Sequence, residues 1–162
     1  MNKKSVWIGN DHGGYRLKLM LKQYMENEGY EVVDVGSDSE DIVRYPYYAG
    51  AVAGAVARGE AWRGLLICST GIGMSIIANK YKGVRAALCT SVQMGELTRA
   101  HNNSNVLCLG GKITSPEIAK DILHIWLNTE YIGGRHEISL NLIREAETAM
   151  ISGLPYTFSH VE

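Results

Sequence analysis

The stretch "LLICSTGIGMSIIANK", residues 65–80, decides the fold because it changes from a strand pattern to a helix pattern. It opens with an apolar run typical of a strand buried on both faces, and its second half is typical of a helix. Small or reactive side chains occupy the turn between the two: Cys68, Ser69, Thr70, Gly71 and Gly73. A structural crossover needs one glycine at such a turn, so the thiol and its small neighbours indicate a functional loop.

The same alternation continues along the whole chain, with short apolar runs between longer amphipathic stretches. The runs that predict strands lie at 5–9, 31–35, 64–68, 84–88 and 105–109. The stretches that predict helices lie at 14–28, 46–58, 73–81, 91–101 and 115–128. Regular strand–helix alternation with right-handed crossovers predicts an α/β fold, a Rossmann-like three-layer αβα sandwich with a five-stranded parallel sheet.

A last helix is predicted at about 134–150, and no strand follows it. Its apolar side chains fall into two stripes, Ile138, Leu142 and Ala146 in one and Leu140, Ile143 and Met150 in the other. A terminal helix that is apolar on more than one side suits packing on a second subunit, so we expect it to contribute to a homodimer. Its periodicity fits equally well a helix folded back over its own sheet. Residues 151–162 show no pattern and receive no role.

Length and composition narrow the class of protein. A chain of 162 residues fits one domain, 1–162, that buries most of its apolar surface. Its 16 basic and 17 acidic residues nearly cancel, which argues against a nucleic-acid partner. The first apolar run is too short for a signal peptide and none is of membrane length, so we expect a cytoplasmic protein without a membrane partner. The three cysteines form no C-x-x-C pair, which argues against a disulfide scaffold or a zinc knuckle.

Polar, glycine-rich segments follow several predicted strands. "NDHGG" follows the first strand, "CSTGIG" the third and "GGK" the fifth, while "RAHNNSN" follows the fourth strand and its helix. In an open parallel sheet, ligands bind beyond the carboxyl ends of the strands. We therefore expect one rim of the sheet to collect these side chains: Asp11, His12, Cys68, Thr70, His101, Asn102 and Lys112.

The loop at Cys68 matches no familiar nucleotide-binding or phosphatase motif. A dinucleotide-binding fingerprint requires a third glycine where Ile76 stands, and a Walker A loop requires Gly-Lys-Ser/Thr. A tyrosine-phosphatase loop would place arginine where Met74 stands. What remains is a cluster of backbone N–H groups at a helix N-terminus, which can hold a phosphate or a developing oxyanion and favours a thiolate.

The residue pattern alone leaves the type of reaction open. A thiolate over an oxyanion cradle suits proton abstraction beside a carbonyl, and it also suits attack on an ester or amide, for which His12 or His101 would supply the base. An isomerase, a cysteine hydrolase acting on phosphoesters and a nucleotide-binding regulatory domain all fit this pattern. Asp11 and His12 do not predict a metal site, because no further ligand stands at a supporting spacing. We interpret Cys89 and Cys108 as core residues.

Several separated motifs match one protein family in order over about nine-tenths of the chain. They are "GNDHGGYRLK", "VVDVGS" followed by "RYPYYA", "ICSTGIGMSIIANK", "GVRAAL", "AHNNSNVLCLGG" and "GGRH". The chain resembles the family of ribose-5-phosphate isomerase B and the galactose-6-phosphate isomerase subunits. The resemblance implies isomerisation of an aldose phosphate to a ketose phosphate through a cis-enediolate, without metal or cofactor. Ribose 5-phosphate is favoured over allose or galactose 6-phosphate.

The resemblance also implies roles for individual residues. Cys68 would move a proton between C2 and C1, His101 would open the sugar ring, and Thr70 would assist it. The implied substrate-binding residues are Asp11, His12, Tyr45, Ser69, Gly71, Ile72, Gly73 and Asn102. The implied phosphate-binding residues are His12, Lys112, Arg135, His136 and Ser139, some of them reaching in from a second subunit of a homodimer or homotetramer.

Two of the phosphate-binding positions depart from the family's ribose enzymes. These usually carry arginine where Ser139 stands, four residues after Arg135, and commonly carry arginine where Lys112 stands. The "GGKIT" segment is similar to the galactose-6-phosphate isomerase subunits. Losing a planar bidentate donor alters phosphate binding, so Ser139 and Lys112 are the positions that bear on the choice between pentose and hexose phosphates. Some family members use a glutamate one helical turn on as the base, but "GMSI" gives Cys68 no such rival.

Overall fold

The computed structural model describes residues 4–153, which form two compact units, one ending at Tyr131 and one beginning at Ile132. The strands of the first unit are β1 Ser5–Asn10, β2 Glu31–Asp34, β3 Arg63–Cys68, β4 Ala86–Leu88 and β5 Val106–Gly110. Its helices are α1 Tyr15–Asn27, α2 Tyr45–Ala57, α3 Ile72–Ala78, α4 Val92–Asn102 and α5 Pro116–Asn128, with a short 3₁₀ turn at His12–Gly14 before α1. The second unit contains α6, Arg135–Ile151.

The strands form one parallel sheet in the order β2-β1-β3-β5-β4. The middle strand β3 pairs on one side with β1, where Ile8 is opposite Leu65, and on the other with β5, where Leu65 is opposite Leu107. All six residues of β3 are buried, which the apolar run at 64–68 predicted for five of them; the burial of Arg63 was not predicted. The predicted α/β fold with a five-stranded parallel sheet is confirmed.

Two apolar clusters, one on each face of the sheet, complete the three layers. Leu65 and Ile67 of β3 belong to the cluster that α1 and α5 cover. Leu66 and Cys68 belong to the cluster that α2 and α3 cover, because side chains alternate between the faces of a strand. Cys68 therefore lies at the carboxyl end of the central strand, on the α2 and α3 side.

The predicted elements are all present, with small differences at their ends. The fourth strand begins two residues later than predicted, at Ala86, and the helix after β3 ends at Ala78 rather than at residue 81. No helix within residues 4–153 has the length and apolar character needed to cross a bilayer. The cytoplasmic location and the single domain over 1–162 stay predictions.

Within the second unit, α6 carries exposed apolar side chains on a helix braced by its own polar residues. Arg144 donates to Glu137 at 2.7 Å and also bonds Asn141. Ile138 and Met150 are 66% and 72% exposed. A part for α6 in dimerisation stays a prediction, and most of the tail at 151–162 lies outside the described residues.

Candidate active site

The loops that follow β1, β3 and β5 meet at the carboxyl edge of the sheet. They meet because β1 and β5 both flank β3. Three backbone hydrogen bonds join them, from Asp11 N–H to the Ile67 carbonyl at 3.2 Å, from Gly111 N–H to the Cys68 carbonyl at 2.8 Å and from Lys112 N–H to the Ser69 carbonyl at 3.0 Å. The structure therefore brings "NDHGG", "CSTGIG" and "GGK" together at one edge, as their positions after the strands predicted.

Glycines allow these loops to approach backbone to backbone. A β-carbon at Gly13 would overlap Ser69 Oγ, and one at Gly111 would lie 2.5 Å from the Gly13 carbonyl oxygen. No side chain fits at either position without moving the neighbouring loop. The "GG" pairs in "DHGG" and "LGGK" thus serve close packing around Cys68.

Cys68 ends β3 with its side chain only 4% exposed, and the turn after it directs a hydrogen bond onto the sulfur. Gly71 N–H donates to Cys68 Sγ at 3.1 Å. Gly71 has φ +78°, and a β-carbon on it would lie 2.5 Å from Leu88 Cδ1, so this turn requires glycine. This hydrogen bond fixes the position of the sulfur at the start of α3, in the arrangement of a thiol base beside backbone N–H groups.

Tyr45 and Thr70 lie beside the Cys68 turn. A β-carbon at Gly73 would lie 2.7 Å from Tyr45 Cζ, so the tyrosine ring covers the first turn of α3. The exposed Thr70 Oγ1 accepts a hydrogen bond from Ile72 N–H at 3.3 Å. Tyr45 lines this position because it begins α2, directly after the loop from β2. The roles assigned to both residues stay predictions.

Asp11 and His12 form the wall next to Cys68. Asp11 is 5% exposed, and its Oδ1 accepts a hydrogen bond from Gly13 N–H at 2.9 Å, which fixes the carboxylate in the turn. His12 Nδ1 accepts a hydrogen bond from Val43 N–H at 3.3 Å. An accepting Nδ1 places the proton of the neutral ring on Nε2, which leaves Nε2 as a donor.

Asn10 was missed by the sequence analysis, although it supports this wall. It is wholly buried, and its Nδ2 donates to the carbonyls of Asp11 at 2.9 Å and Ser37 at 3.3 Å. Its Oδ1 has no hydrogen-bond partner among residues 4–153. The only signal in the sequence was a polar residue at the end of the apolar run "SVWIGN", where a turn residue is the ordinary interpretation.

The prediction that His101 and Asn102 share this rim is wrong within one chain. They end α4, which runs back across the sheet from the carboxyl edge to the amino edge. Arg85, which precedes β4, donates from Nε to the Asn102 carbonyl at 3.0 Å. His101 and Asn102 therefore lie beside the amino ends of the strands. The sequence interpretation treated a segment after a helix as if it followed a strand.

The distance between the two edges follows from the strand itself. Gly64 N–H, near the start of β3, donates to the carbonyl of Asn105 at 2.9 Å, just beyond the end of α4. Cys68 comes four residues after Gly64, so the end of α4 lies roughly 13 Å from Cys68 along the strand. One chain therefore does not bring Cys68 and His101 onto the same small substrate.

The remaining predicted phosphate-binding residues lie in two places. Lys112 has an exposed side chain in the loop after β5, next to Ser69. Arg135, His136 and Ser139 lie in the first two turns of α6, in the second unit, where Arg135 and Ser139 are exposed. Their roles stay predictions.

The other two thiols are core residues, as predicted. Burial raises the pKa of Cys89 to about 11 and raises the pKa of Cys108 further still, so both stay neutral at pH 7. Within residues 4–153, no group of three or more His, Cys, Asp and Glu side chains is arranged to hold a metal ion. The carboxyl edge of the sheet therefore combines the thiol of Cys68, backbone N–H groups and the polar side chains of Asp11, His12 and Thr70.

Comparison with known proteins identifies the family. Residues 6–143 match the family described as Ribose/Galactose Isomerase. The chain belongs to this family. It is 42% identical over 144 residues to ribose-5-phosphate isomerase B of Escherichia coli, covering 89% of this chain and 97% of that protein. A solved structure of ribose-5-phosphate isomerase B from Clostridium thermocellum superposes with a TM-score of 0.89 at 43% identity, covering 90% and 99% of the two chains.

Relatives of the ribose/galactose isomerase family differ in the substrate they are named for. A D-erythrulose-4-phosphate isomerase of Pectobacterium atrosepticum is 39% identical over 132 residues, covering 80% of this chain and 86% of that protein. This identity is close to the 42% shared with the Escherichia coli protein. Overall similarity therefore identifies an isomerase, and the residues of the site must decide which sugar phosphate it takes.

Proposed function

We propose that the protein interconverts ribose 5-phosphate and ribulose 5-phosphate by moving a proton between C2 and C1. The observation that carries the proposal is the hydrogen bond from Gly71 N–H to Cys68 Sγ at 3.1 Å, at the end of the central strand. It is supported by the similarity, above 40% identity, to proteins named ribose-5-phosphate isomerase B. The family's shared reaction class, aldose–ketose isomerisation, needs a base of this kind beside an oxyanion cradle.

In the proposed reaction, the Cys68 thiolate removes the proton from C2 of the open-chain aldose and delivers it to C1. The electron pair left on C2 forms the double bond of the enediolate, whose negative O1 is stabilised by backbone N–H groups between Ser69 and Gly73. The N–H of Gly73, in the first turn of α3, has no acceptor within the helix and would serve this purpose, whereas the N–H of Ile72 donates to Thr70 Oγ1 at 3.3 Å. The O2 hydroxyl proton passes to O1 as C2 becomes the ketone carbon. Asp11 and Tyr45 bind the sugar, and His12 and Lys112 bind the phosphate.

The direct test is the rate of ribose 5-phosphate isomerisation by Cys68→Ala. Loss of the base lowers kcat by about 10³-fold, within the range for general base catalysis, while binding of the sugar phosphate persists. Cys89→Ala, which removes a core thiol, is the matched control and keeps its kcat. Full activity of Cys68→Ala excludes the assigned base. Release of inorganic phosphate through a covalent thiol intermediate would instead indicate a hydrolase. Protection against thermal unfolding by a nucleotide, and not by a sugar phosphate, would indicate a regulatory domain.

We infer that the working enzyme is a homodimer in which His101 and Asn102 of a second subunit complete the site at Cys68. Ring opening and proton transfer act on one small sugar, whereas Cys68 and His101 lie at opposite edges of one sheet. A twofold dimer brings the amino edge of each subunit to the carboxyl edge of the other, which creates two equal sites. Arg135 and His136 belong to the same proposal as phosphate ligands.

Mixing two inactive variants tests this dimer. In a heterodimer of Cys68→Ala and His101→Ala, one site has lost both residues and the other has both intact. Random pairing therefore restores about a quarter of the wild-type activity. A mixture of Cys68→Ala with the double variant has no intact site and is the control. If both residues act within one chain, the first mixture stays as inactive as its parents.

Substrate choice is tested at the two departures from the ribose enzymes. We expect a higher kcat/KM for ribose 5-phosphate than for allose, galactose or erythrulose phosphates. Ser139→Arg restores a bidentate donor and lowers KM for ribose 5-phosphate. An unchanged KM would place Ser139 outside the site, and a preference of the unmodified enzyme for a hexose 6-phosphate would assign it to the galactose side of the family.

We expect activity to survive a chelator, and a loss on metal removal would contradict the metal-free reaction.

A further inference from the structure

A cavity of about 490 Å³ opens at the amino edge of the sheet, within the first unit. We call it the amino-edge pocket, and the side chains that define it are Lys4, Tyr30, Trp62, Arg63, Arg99 and Glu130. Arg63 and Cys68 are the first and last residues of β3, so the pocket lies roughly 17 Å from Cys68 of the same chain. The proposed isomerase reaction uses none of the residues that define the pocket.

The pocket carries an excess of positive charge that the protein does not neutralise. Lys4, Arg63 and Arg99 face a single acidic residue of the lining, Glu130. Within residues 4–153, none of these three cations forms an ion pair. Arg63 is 7% exposed and Arg99 is 6% exposed. Buried cations are normally paired, so two unpaired guanidinium groups at one cavity indicate a missing anion.

Arg63 is held by neutral groups alone. Its Nη1 donates to the carbonyls of Trp126 at 2.7 Å and Leu127 at 3.0 Å, and its guanidinium lies 4.1 Å from the centre of the Trp62 ring. These contacts fix the guanidinium in place, yet Nε and Nη2 have no acceptor among residues 4–153. The carbonyl dipoles and the ring attract and orient the guanidinium group, but none of them carries a full negative charge.

Arg99 is placed in a similar way. Its Nη1 donates to the Ser104 carbonyl at 2.5 Å and to Asn103 Oδ1 at 2.9 Å. Its Nε is buried without a hydrogen-bond partner among residues 4–153. Burial and then the neighbouring Arg99 lower the pKa of Arg63 to about 9, which still leaves it charged at pH 7. Burial and then the neighbouring Arg85 lower the pKa of Arg99 as well. A bound anion would relieve the cost of holding both guanidinium groups charged.

We propose that the amino-edge pocket is a second ligand site, which binds a small phosphate-bearing metabolite. Guanidinium groups present planar, directed donors that suit phosphate oxygens, and the Lys4 ammonium at the rim adds a third positive charge. The cavity is far larger than a phosphate ion, so the ligand has an organic part. Lys4 and Arg63 already contact the Trp62 ring, at 4.5 and 4.1 Å, and Tyr30 stacks on it, so that part is polar rather than an aromatic base.

The test uses the tryptophan side chains of the full-length protein as reporters. The chain has three tryptophans, Trp7, Trp62 and Trp126, and each gives one indole N–H signal in a nitrogen–proton correlation spectrum. The protein is titrated with inorganic phosphate against chloride of equal ionic strength, and Trp62→Phe assigns the reporter in the pocket. We expect a saturable shift of the Trp62 signal, with the Trp7 signal unchanged.

Matched lysine variants separate this site from a general effect of charge. Lys4→Glu weakens the phosphate affinity read at Trp62 by about tenfold or more, because it reverses the charge at the rim. Lys120→Glu makes the same charge reversal at an exposed lysine of α5 that does not line the pocket, and leaves the affinity unchanged. A Trp62 shift that is absent, that does not saturate or that is the same in Lys4→Glu overturns the proposal.

A kinetic measurement distinguishes the second site from the active site. Lys4→Glu keeps the KM of the wild type for ribose 5-phosphate if the amino-edge pocket is separate. A rise in KM that matches the loss of phosphate affinity would instead make the pocket part of an active site shared between subunits, and it would overturn the proposal. Failure of the isomerase assignment leaves the Trp62 titration unaffected.

A phosphorylated polyol should bind at least about tenfold more tightly than inorganic phosphate, because its body fills the cavity.

Discussion

The two edges of the sheet meet the ends of helices in opposite ways. At the amino edge helices end, and their last carbonyls need donors. Arg63 supplies donors to the end of α5, through the carbonyls of Trp126 and Leu127, and Arg85 donates to the last carbonyl of α4. Cations at this position also compensate the negative end of the helix dipole.

At the carboxyl edge helices begin, and there the N–H groups need acceptors. Ser91 and Ser115 cap α4 and α5, with their side chains accepting from Met94 N–H at 3.2 Å and Ile118 N–H at 3.4 Å. The helices α1, α2 and α3 instead begin without a capping side chain at the N-cap residue. At the start of α3, Thr70 Oγ1 accepts from Ile72 N–H at 3.3 Å. Among these three uncapped helices, α3 follows Cys68 directly, so its first N–H groups lie where the proposed chemistry occurs.

Gly71→Ala should have the largest effect, because it breaks the uncapped turn. Alanine is strained at φ +78°, and its β-carbon would lie 2.5 Å from Leu88 Cδ1. We expect the free energy of unfolding to fall by about 3 kcal/mol. The displaced N–H groups should lower kcat by about a hundredfold. Urea unfolding and steady-state kinetics measure the two effects.

Gly29→Ala is the control for this variant. Gly29 also has a positive φ, +87°, but a β-carbon there meets no atom within 4 Å. Alanine at this position carries the strain of the backbone alone, about 1 kcal/mol, and leaves kcat unchanged. Equal effects of the two variants would mean that the Cys68 turn has no special part in the site.

Arg63→Met tests the amino edge and should have the second largest effect. Methionine fills a similar volume but leaves two buried carbonyls without a donor, which lowers the free energy of unfolding by about 2 kcal/mol. Arg58, which is exposed and pairs with Glu60, is the control, and Arg58→Met leaves the midpoint of urea unfolding unchanged. A more stable Arg63→Met would mean that the cost of burying an unpaired charge exceeds the value of its hydrogen bonds.

The comparison of edges also explains what the sequence could predict. Apolar runs and helix periodicity located every strand and helix, because each element in a covered parallel sheet is patterned over its own length. The loops after β1, β3 and β5 were placed correctly, since residues that follow parallel strands share an edge. His101 was misplaced because it stands at the end of a helix, and a helix between parallel strands ends at the other edge.

Residues whose importance depends on distant partners could not be predicted. Arg63 begins an apolar strand and stands 63 residues from Trp126, to whose carbonyl it donates. Asn10 depends on Ser37 across the loop that follows β2. Strand order determines these contacts, and periodicity is silent on strand order. The family resemblance identified the reaction class but not the edge of the sheet on which each motif lies.

Ser115→Ala should have a smaller effect, because it removes one cap. The lost hydrogen bond to Ile118 N–H lowers the free energy of unfolding by about 1 kcal/mol. Ser115→Thr keeps the hydroxyl and should unfold at the urea concentration of the wild type. An equal loss in both variants would trace the effect to packing at the start of α5 rather than to the cap.

Asp34 gives the smallest expected effect, and it contrasts a paired buried cation with the unpaired arginines of the amino edge. Lys18, which is 3% exposed, donates to Asp34 at 3.2 Å and to the Ser37 carbonyl at 2.6 Å, and Lys22 also pairs with Asp34. Burial raises the pKa of Asp34, but the N–H of Gly36 and the two lysines outweigh it and hold the pKa below its ordinary value of 3.8.

Because this pKa is lower in the folded protein, Asp34 stabilises the fold above pH 3.8 and loses that contribution as pH falls through its folded pKa. Asp34→Asn should therefore lower stability at pH 7 and flatten the acid limb of a plot of unfolding free energy against pH. Asp38→Asn, which changes a carboxyl group that no lysine or arginine of residues 4–153 pairs with, leaves the limb in place. If Asp34→Asn loses stability at acid pH in the same way as the wild type, the Ser37 carbonyl alone stabilises the Lys18 ammonium group. The lysine–aspartate pair would then not distinguish Lys18 from the unpaired arginines of the amino edge.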